Sequence, residues 1–234
     1  MLIGFIHNKT LARLLQSYSF FLGTSLLKLS LFFFLANEFS QKSFIAYNMY
    51  LFYSEIILVL ISSTTNFFFS KKSETKNRLS TSIIFENIYL LCVVFILVFS
   101  AIFNLINFDS YVSFPLLLFL VWGRLNNQIF SRYFLISSSI NKSLWNDIFG
   151  NTIWIFIGLS LLFFYDLESP ELMIGVWSIF LACNTFLNLY KLRKKISILK
   201  GWDNLKIMLG LYMRSVQFST IFILYGSAEK LLMS

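Results

Sequence analysis

Charge is scarce in this sequence. Asp, Glu, Lys and Arg together make up 13% of its 234 residues, where a soluble domain carries about a quarter. Histidine is scarcer still. His7 is the only one, so histidine-based acid–base catalysis and zinc ligation have almost nothing to work with. The two cysteines, Cys92 and Cys183, each sit inside an apolar run. That excludes a disulfide framework or a cysteine metal set and leaves them as small packing residues. The nine glycines are scattered and form no phosphate-cradling loop. No nucleophile has a histidine base at hand, no paired carboxylates share a polar loop, and no polar stretch is long enough to fold as a soluble domain. Enzymatic activity, a cofactor, a metal site and a nucleic-acid partner are therefore not expected.

Apolar surface is what the chain has in excess. Hydrophobic residues reach 57%, with 29 phenylalanines, and the mean hydropathy is +0.73. A bilayer-crossing helix needs about 20 mostly apolar residues. Seven runs meet that need: 17–37, 44–69, 82–107, 112–135, 148–165, 172–190 and 207–227. They are too long for strands and do not alternate, which excludes a closed barrel. The fold expected is an all-α, polytopic membrane helix bundle, with about six transmembrane helices plus a seventh at the carboxyl end. Residues 1–195 read as a six-helix bundle and 207–234 as the seventh span, opening a second bundle. Between them, 196–206 mixes Ile198, Leu199, Trp202 and Leu205 with Lys200, Asp203 and Lys206, the pattern of a short amphipathic helix on the membrane surface.

Charge distribution orients the spans. With the amino terminus in the cytoplasm, the inner segments hold Lys9, Arg13, Lys71, Lys72, Lys76, Arg78, Lys142 and the basic group around Lys191–Lys195, whereas the outer loops hold Lys42 alone among the cations. The acidic residues Glu38, Asp109, Asp166, Glu168 and Glu171 fall outside. This is the positive-inside pattern, and the net charge of +8 then reflects loops facing anionic lipid. Lys9 and Arg13 before the first run resemble a signal peptide, but Lys28 interrupts the run and no small-residue cleavage pattern follows, so it is a retained span.

Polar residues inside the spans are the candidate functional positions. Lys28, Glu55 and Arg124 lie near the centres of the first, second and fourth spans, where each costs about 2.5–3.5 kcal/mol if left unpaired. Arg132, Lys230 and Glu86 lie nearer span ends, where side chains snorkel to the interface. Asn48, Glu55, Ser62 and Asn66 share one stripe of the second span. Arg124, Asn127, Gln128 and Ser131 share one of the fourth, and Ser17, Thr24 and Lys28 one of the first. Two readings follow: a hydrated, mostly basic cavity for an anionic ligand, or a lock in which Lys28 and Arg124 pair with Glu55. On the sixth span Gly175, Ser178, Ala182 and Thr185 form a small-residue stripe that suits close helix packing.

The layout resembles the amino-terminal half of an O-antigen or polysaccharide flippase (Wzx-like), within the superfamily of multidrug and lipid-linked oligosaccharide exporters. The resemblance is carried by basic Lys9 and Arg13 before the first span, Phe44-Ile45-Ala46-Tyr47 opening the second, and Lys71-Lys72-Ser73-Glu74 after it. It continues through Lys191-Leu192-Arg193-Lys194-Lys195 and into Ser215-Val216-Gln217-Phe218-Ser219, ending at Ala228-Glu229-Lys230. It implies a multi-pass protein of the cell inner membrane that moves a polyprenyl-pyrophosphate-linked oligosaccharide across the bilayer, alongside other glycan-assembly membrane proteins. On this resemblance Lys28, Arg124 and Arg214 would neutralise pyrophosphate or acidic sugars. Asn48, Asn66, Asn127 and Gln128 would bond sugar hydroxyls, and Glu55 would balance the field or bind a coupling cation. The family has two six-helix bundles, so a chain stopping after a seventh span reads as a half-length product. Its prolines, Pro115 and Pro170, are also fewer than the family carries. A small-molecule exporter and a non-transporting, accessory or degenerate membrane protein are the alternative readings.

Overall fold

A computed structural model describes residues 2–70, 75–102, 112–137, 139–165 and 169–196. The described residues form helices and no strand. In chain order these are α1 (Leu2–Glu38), α2 (Gln41–Ser70), α3 (Thr75–Ile102), α4 (Phe114–Ile136), α5 (Ile140–Asn151), α6 (Ile153–Tyr165) and α7 (Pro170–Leu192). The linker at 197–206 and the span at 207–227 lie outside the described residues, as do Arg214 and Lys230.

Both prolines stand in the first turn of a helix, Pro115 in α4 and Pro170 in α7, where the missing N–H costs nothing and the fixed φ favours a start. The Ser169 hydroxyl accepts from the Leu172 amide and Glu171 adds an acid to the first turn of α7, completing an N-cap suited to the helix dipole.

The fifth hydrophobic run needs correction. Its helix begins at Ile140 rather than at 148, and it breaks at Thr152 into α5 and α6. The segment 140–147 is too polar to read as membrane helix by hydropathy. It is helical because Ser143 and Asn146 bury their polar atoms against α4 and α7. The break follows Gly150 and Asn151, both weak helix formers. The Trp177 indole N–H on α7 donates to the Gly150 carbonyl at 3.1 Å beside it.

Three segments are long and apolar enough to cross a membrane: Tyr18–Glu38, Ile140–Phe164 and Pro170–Leu192. Their outward residues include Leu22, Leu26 and Phe33 on α1, Phe156 and Phe164 on α6, and Phe186 on α7. The interior holds Asn126, Asn127, Asn146, Asn184 and Asn188. An apolar exterior over a core that holds these amides among its buried apolar side chains departs from the pattern of a soluble bundle and suits a membrane protein. Many of the hydroxyls on these helices, such as Ser54, Ser160, Ser178 and Thr185, donate to a carbonyl three or four residues back, so they enter an apolar phase already satisfied.

α4 is the hub, packing against α2, α3, α5 and α7, while α1 packs on α2 and also touches α6 through the Phe34–Phe163 ring pair. α4 approaches α7 closely at Gly123, where an added Cβ would stand 2.6 Å from the Leu181 Cβ. The small-residue stripe of α7 contributes differently from expectation. Ser178, Ala182 and Thr185 are buried, but Gly175 has open space around it. Replacing Gly123 by Ala should therefore cost about 1–3 kcal/mol, as overpacking does, whereas Gly175→Ala should be neutral or slightly stabilising. Thermal melts of both variants in detergent check this contrast.

Candidate functional site

The site grows from a buried amide network. Asn146 on α5 donates to the Asn127 carbonyl at 3.0 Å and to the Ser131 hydroxyl at 2.7 Å, both on α4. Its own amide oxygen accepts from Asn184 at 2.8 Å and from Asn188 at 2.6 Å, one turn apart on α7. Asn184 also donates to the Asn127 amide oxygen at 2.7 Å. All four asparagines are buried, and each donor or acceptor left over would cost about 1–3 kcal/mol. Gly150 makes room for the network: a Cβ there would lie 2.7 Å from the Asn127 amide oxygen.

The network passes its polarity on to Asp147. The Ser131 hydroxyl donates to the Asp147 carboxylate at 2.8 Å, and the Asn127 amide approaches it at 3.5 Å. Asp147 thus faces a cavity of about 270 Å³ lined by Lys28, Arg124, Asn127, Gln128, Arg132, Asn151 and Trp177, among others. Three cations and one carboxylate line this space. A second cavity of about 460 Å³ shares Lys28, Asp147 and Asn151 with the first. Its other walls include Thr24 and Thr152 on the polar side and Tyr18, Phe20, Leu135, Ile140 and Leu144 on the apolar side. The two together offer polar and apolar walls joined at Lys28.

Arg124 is fixed on three sides. Its guanidinium pairs with Glu55 and donates to the Ser54 hydroxyl at 2.6 Å, both on α2. It also stands over the Trp177 ring, 5.1 Å from the centroid, within cation–π range. Trp177 in turn stacks on Trp154 with centroids 5.0 Å apart. Lys28 makes no direct ion pair among the described residues. It lies in the fields of Arg124, Asp147 and Glu55.

Of the positions singled out in the sequence, Lys28, Arg124, Asn127 and Gln128 come together on one cavity, and Glu55 stands behind Arg124. Asn48 donates to the Phe44 carbonyl of its own helix at 3.0 Å and is not among those lining residues. The Asn66 side chain and Arg214 lie outside the described residues. Sequence reasoning missed Asp147, Asn146, Asn151, Asn184 and Asn188. The signal was present: Asn184 and Asn188 are four residues apart inside a run long and apolar enough to cross a membrane. Glu86, expected to snorkel, is instead fully buried on α3.

Comparison with protein-family models, with curated proteins and with solved structures finds no match to this chain.

Asn146 and Asn126 provide an internal test of the network. Both are buried amides, but Asn126 donates to the Trp122 carbonyl on its own helix. Asn146→Leu should lose about 2–4 kcal/mol, because partners on two other helices are left unsatisfied. Asn126→Leu should lose under about 1 kcal/mol. Denaturation in mixed micelles would measure both.

Proposed function

We propose that this chain is a membrane transporter that moves an anionic amphiphile, of the class of polyprenyl-pyrophosphate-linked oligosaccharides, across the cell inner membrane. In this reading the protein is multi-pass, with about six or seven spans and its amino terminus in the cytoplasm. The observation that supports it most directly is the convergence of Lys28, Arg124 and Arg132 on one cavity with a single facing carboxylate, Asp147. Cations held at depth in an apolar bundle are costly and mark a ligand path. An excess of them favours an anionic head group. The half-apolar wall of the adjoining cavity suits a ligand with a hydrocarbon part.

The roles divide by geometry. Lys28 is a mobile point charge, able to follow a phosphate. Arg124 is held rigidly by Glu55, Ser54 and Trp177, so it gives a fixed fork for a bidentate contact. Asn127, Gln128 and Asn151 supply amides for hydroxyl groups along the cavity wall.

Deleting the gene in its host should make lipid-linked glycan accumulate on the inner face of the membrane. Restoring the wild-type gene should clear it. A gene carrying Lys28→Gln and Arg124→Gln should export at least about tenfold more slowly, since each charge-assisted contact is worth about 1.5–3 kcal/mol. Normal export by the double variant, or no accumulation on deletion, would overturn the assignment.

A further inference from the structure

Of the buried polar residues of α3, two have side-chain oxygens with no hydrogen-bond partner among the described residues, and neither lines the cavity. Glu86 is fully buried, and neither carboxylate oxygen has a hydrogen-bond partner among the described residues. Ser82, one turn earlier on the same face, is also fully buried, and its hydroxyl oxygen has no partner among the described residues. A bare carboxylate without a donor is among the least favourable groups to bury, and a carboxyl holding a proton is far less so.

α3 packs against α2 and α4. The ionisable groups of α2 are Lys42, Tyr47, Tyr50, Tyr53 and Glu55, and those of α4 are Arg124, Arg132 and Tyr133. Of these, Arg132 is the one that acts on Glu86. Yet the two form no direct ion pair among the described residues. Arg132 instead donates to the Ser62 carbonyl on α2, in a long bond of 3.3 Å. A cation with a weak neutral partner thus stands near an acid with none among the described residues.

We propose that Ser82 and Glu86 form a proton-exchange site, with Arg132 as the cation that moves between the Ser62 carbonyl and the Glu86 carboxylate as the proton binds and leaves. On release, the O–H bond of the Glu86 carboxyl breaks, the proton passes to water, and the electron pair stays on the carboxylate. Arg132 then leaves Ser62 and pairs with that carboxylate, and the Ser82 hydroxyl donates to it. Proton uptake reverses each step. No redox partner is needed. A metal cation fits less well, because the site offers three oxygens from one helix and Arg132 opposes a second positive charge.

The consequence for the cavity rests on the function proposed above. Arg132 also lines the space that holds Lys28 and Arg124. A proton taken up by Glu86 returns Arg132 to that space, so proton and anion binding reinforce each other through linkage.

Infrared difference spectroscopy of the full chain in lipid nanodiscs tests the site without requiring transport. Raising the pH should reversibly remove the C=O stretch of one protonated carboxyl, and Glu86→Gln should lack that band. In Arg132→Gln the band should persist to higher pH, because the carboxylate has lost its cation. If Glu86→Gln fails to fold by circular dichroism and elution profile, Glu86→Asp, which keeps the acid but shifts the band, carries the assignment. A band unaltered by either Glu86 substitution, or an unchanged titration in Arg132→Gln, would overturn the proposal. So would loss of the band on adding Na⁺ but not K⁺ at fixed pH, which would make this a metal-ion site. None of these results bears on whether the chain exports a glycan.

Discussion

The side chain of Asn146 joins three helices at one point, and much of the bundle's interior is arranged around it. An amide has two donors and two lone pairs. Asn146 uses its donors on α4 and its acceptor on α7, so α4, α5 and α7 have one mutual register that satisfies it. In water a misplaced amide finds solvent. In an apolar bundle it does not, and the penalty for a wrong register is correspondingly high. The glycines fit the same constraint: Gly123 lets α7 approach α4, and Gly150 leaves room for the Asn127 amide.

Fixing that register also fixes the electrostatics of the cavity. Asp147 follows Asn146 directly and is oriented by Ser131, a residue the network already holds. Arg124 lies one turn before Asn127 on α4, and Trp177 and Asn184 are seven residues apart on α7, so the cation and the ring beneath it are set by the helices that carry the amides. The network's rigidity thus becomes a preorganised ring of charge around a cavity, with Lys28 on the loosely attached α1 as its adaptable member. On the proposed function, an anionic ligand would meet oriented groups there and need not order them.

How much of this was legible in the sequence differs by element. The helical class and the position of most segments were, because runs of apolar residues have few other solutions. Lys28, Glu55 and Arg124 stood out for the same reason, as charges too costly to be accidental. The α5 segment was not legible: its hydropathy is that of a loop, and it is helical because α4 and α7 bury its polar face. A lock in which Lys28 and Arg124 pair with Glu55 was one of two readings; the structure pairs Arg124 with Glu55, while Lys28 stands apart from that pair and lines the cavity beside it. Glu86 was misplaced because distance along a run says nothing about which side of the helix the neighbours cover.

On the proposed function, the space around Lys28, Arg124 and Asn151 is a water-filled cavity within the bundle. The most direct test places single cysteines at these positions and at Leu181, a fully buried residue of the α4–α7 contact, in a background lacking Cys92 and Cys183. Labelling in intact membranes with a small, charged thiol reagent then reads water access. The account predicts that positions 28, 124 and 151 react and that an anionic amphiphile slows them, while position 181 stays unreactive. Three unreactive cavity positions, in protein that still folds, would contradict it and leave the charges as a structural lock.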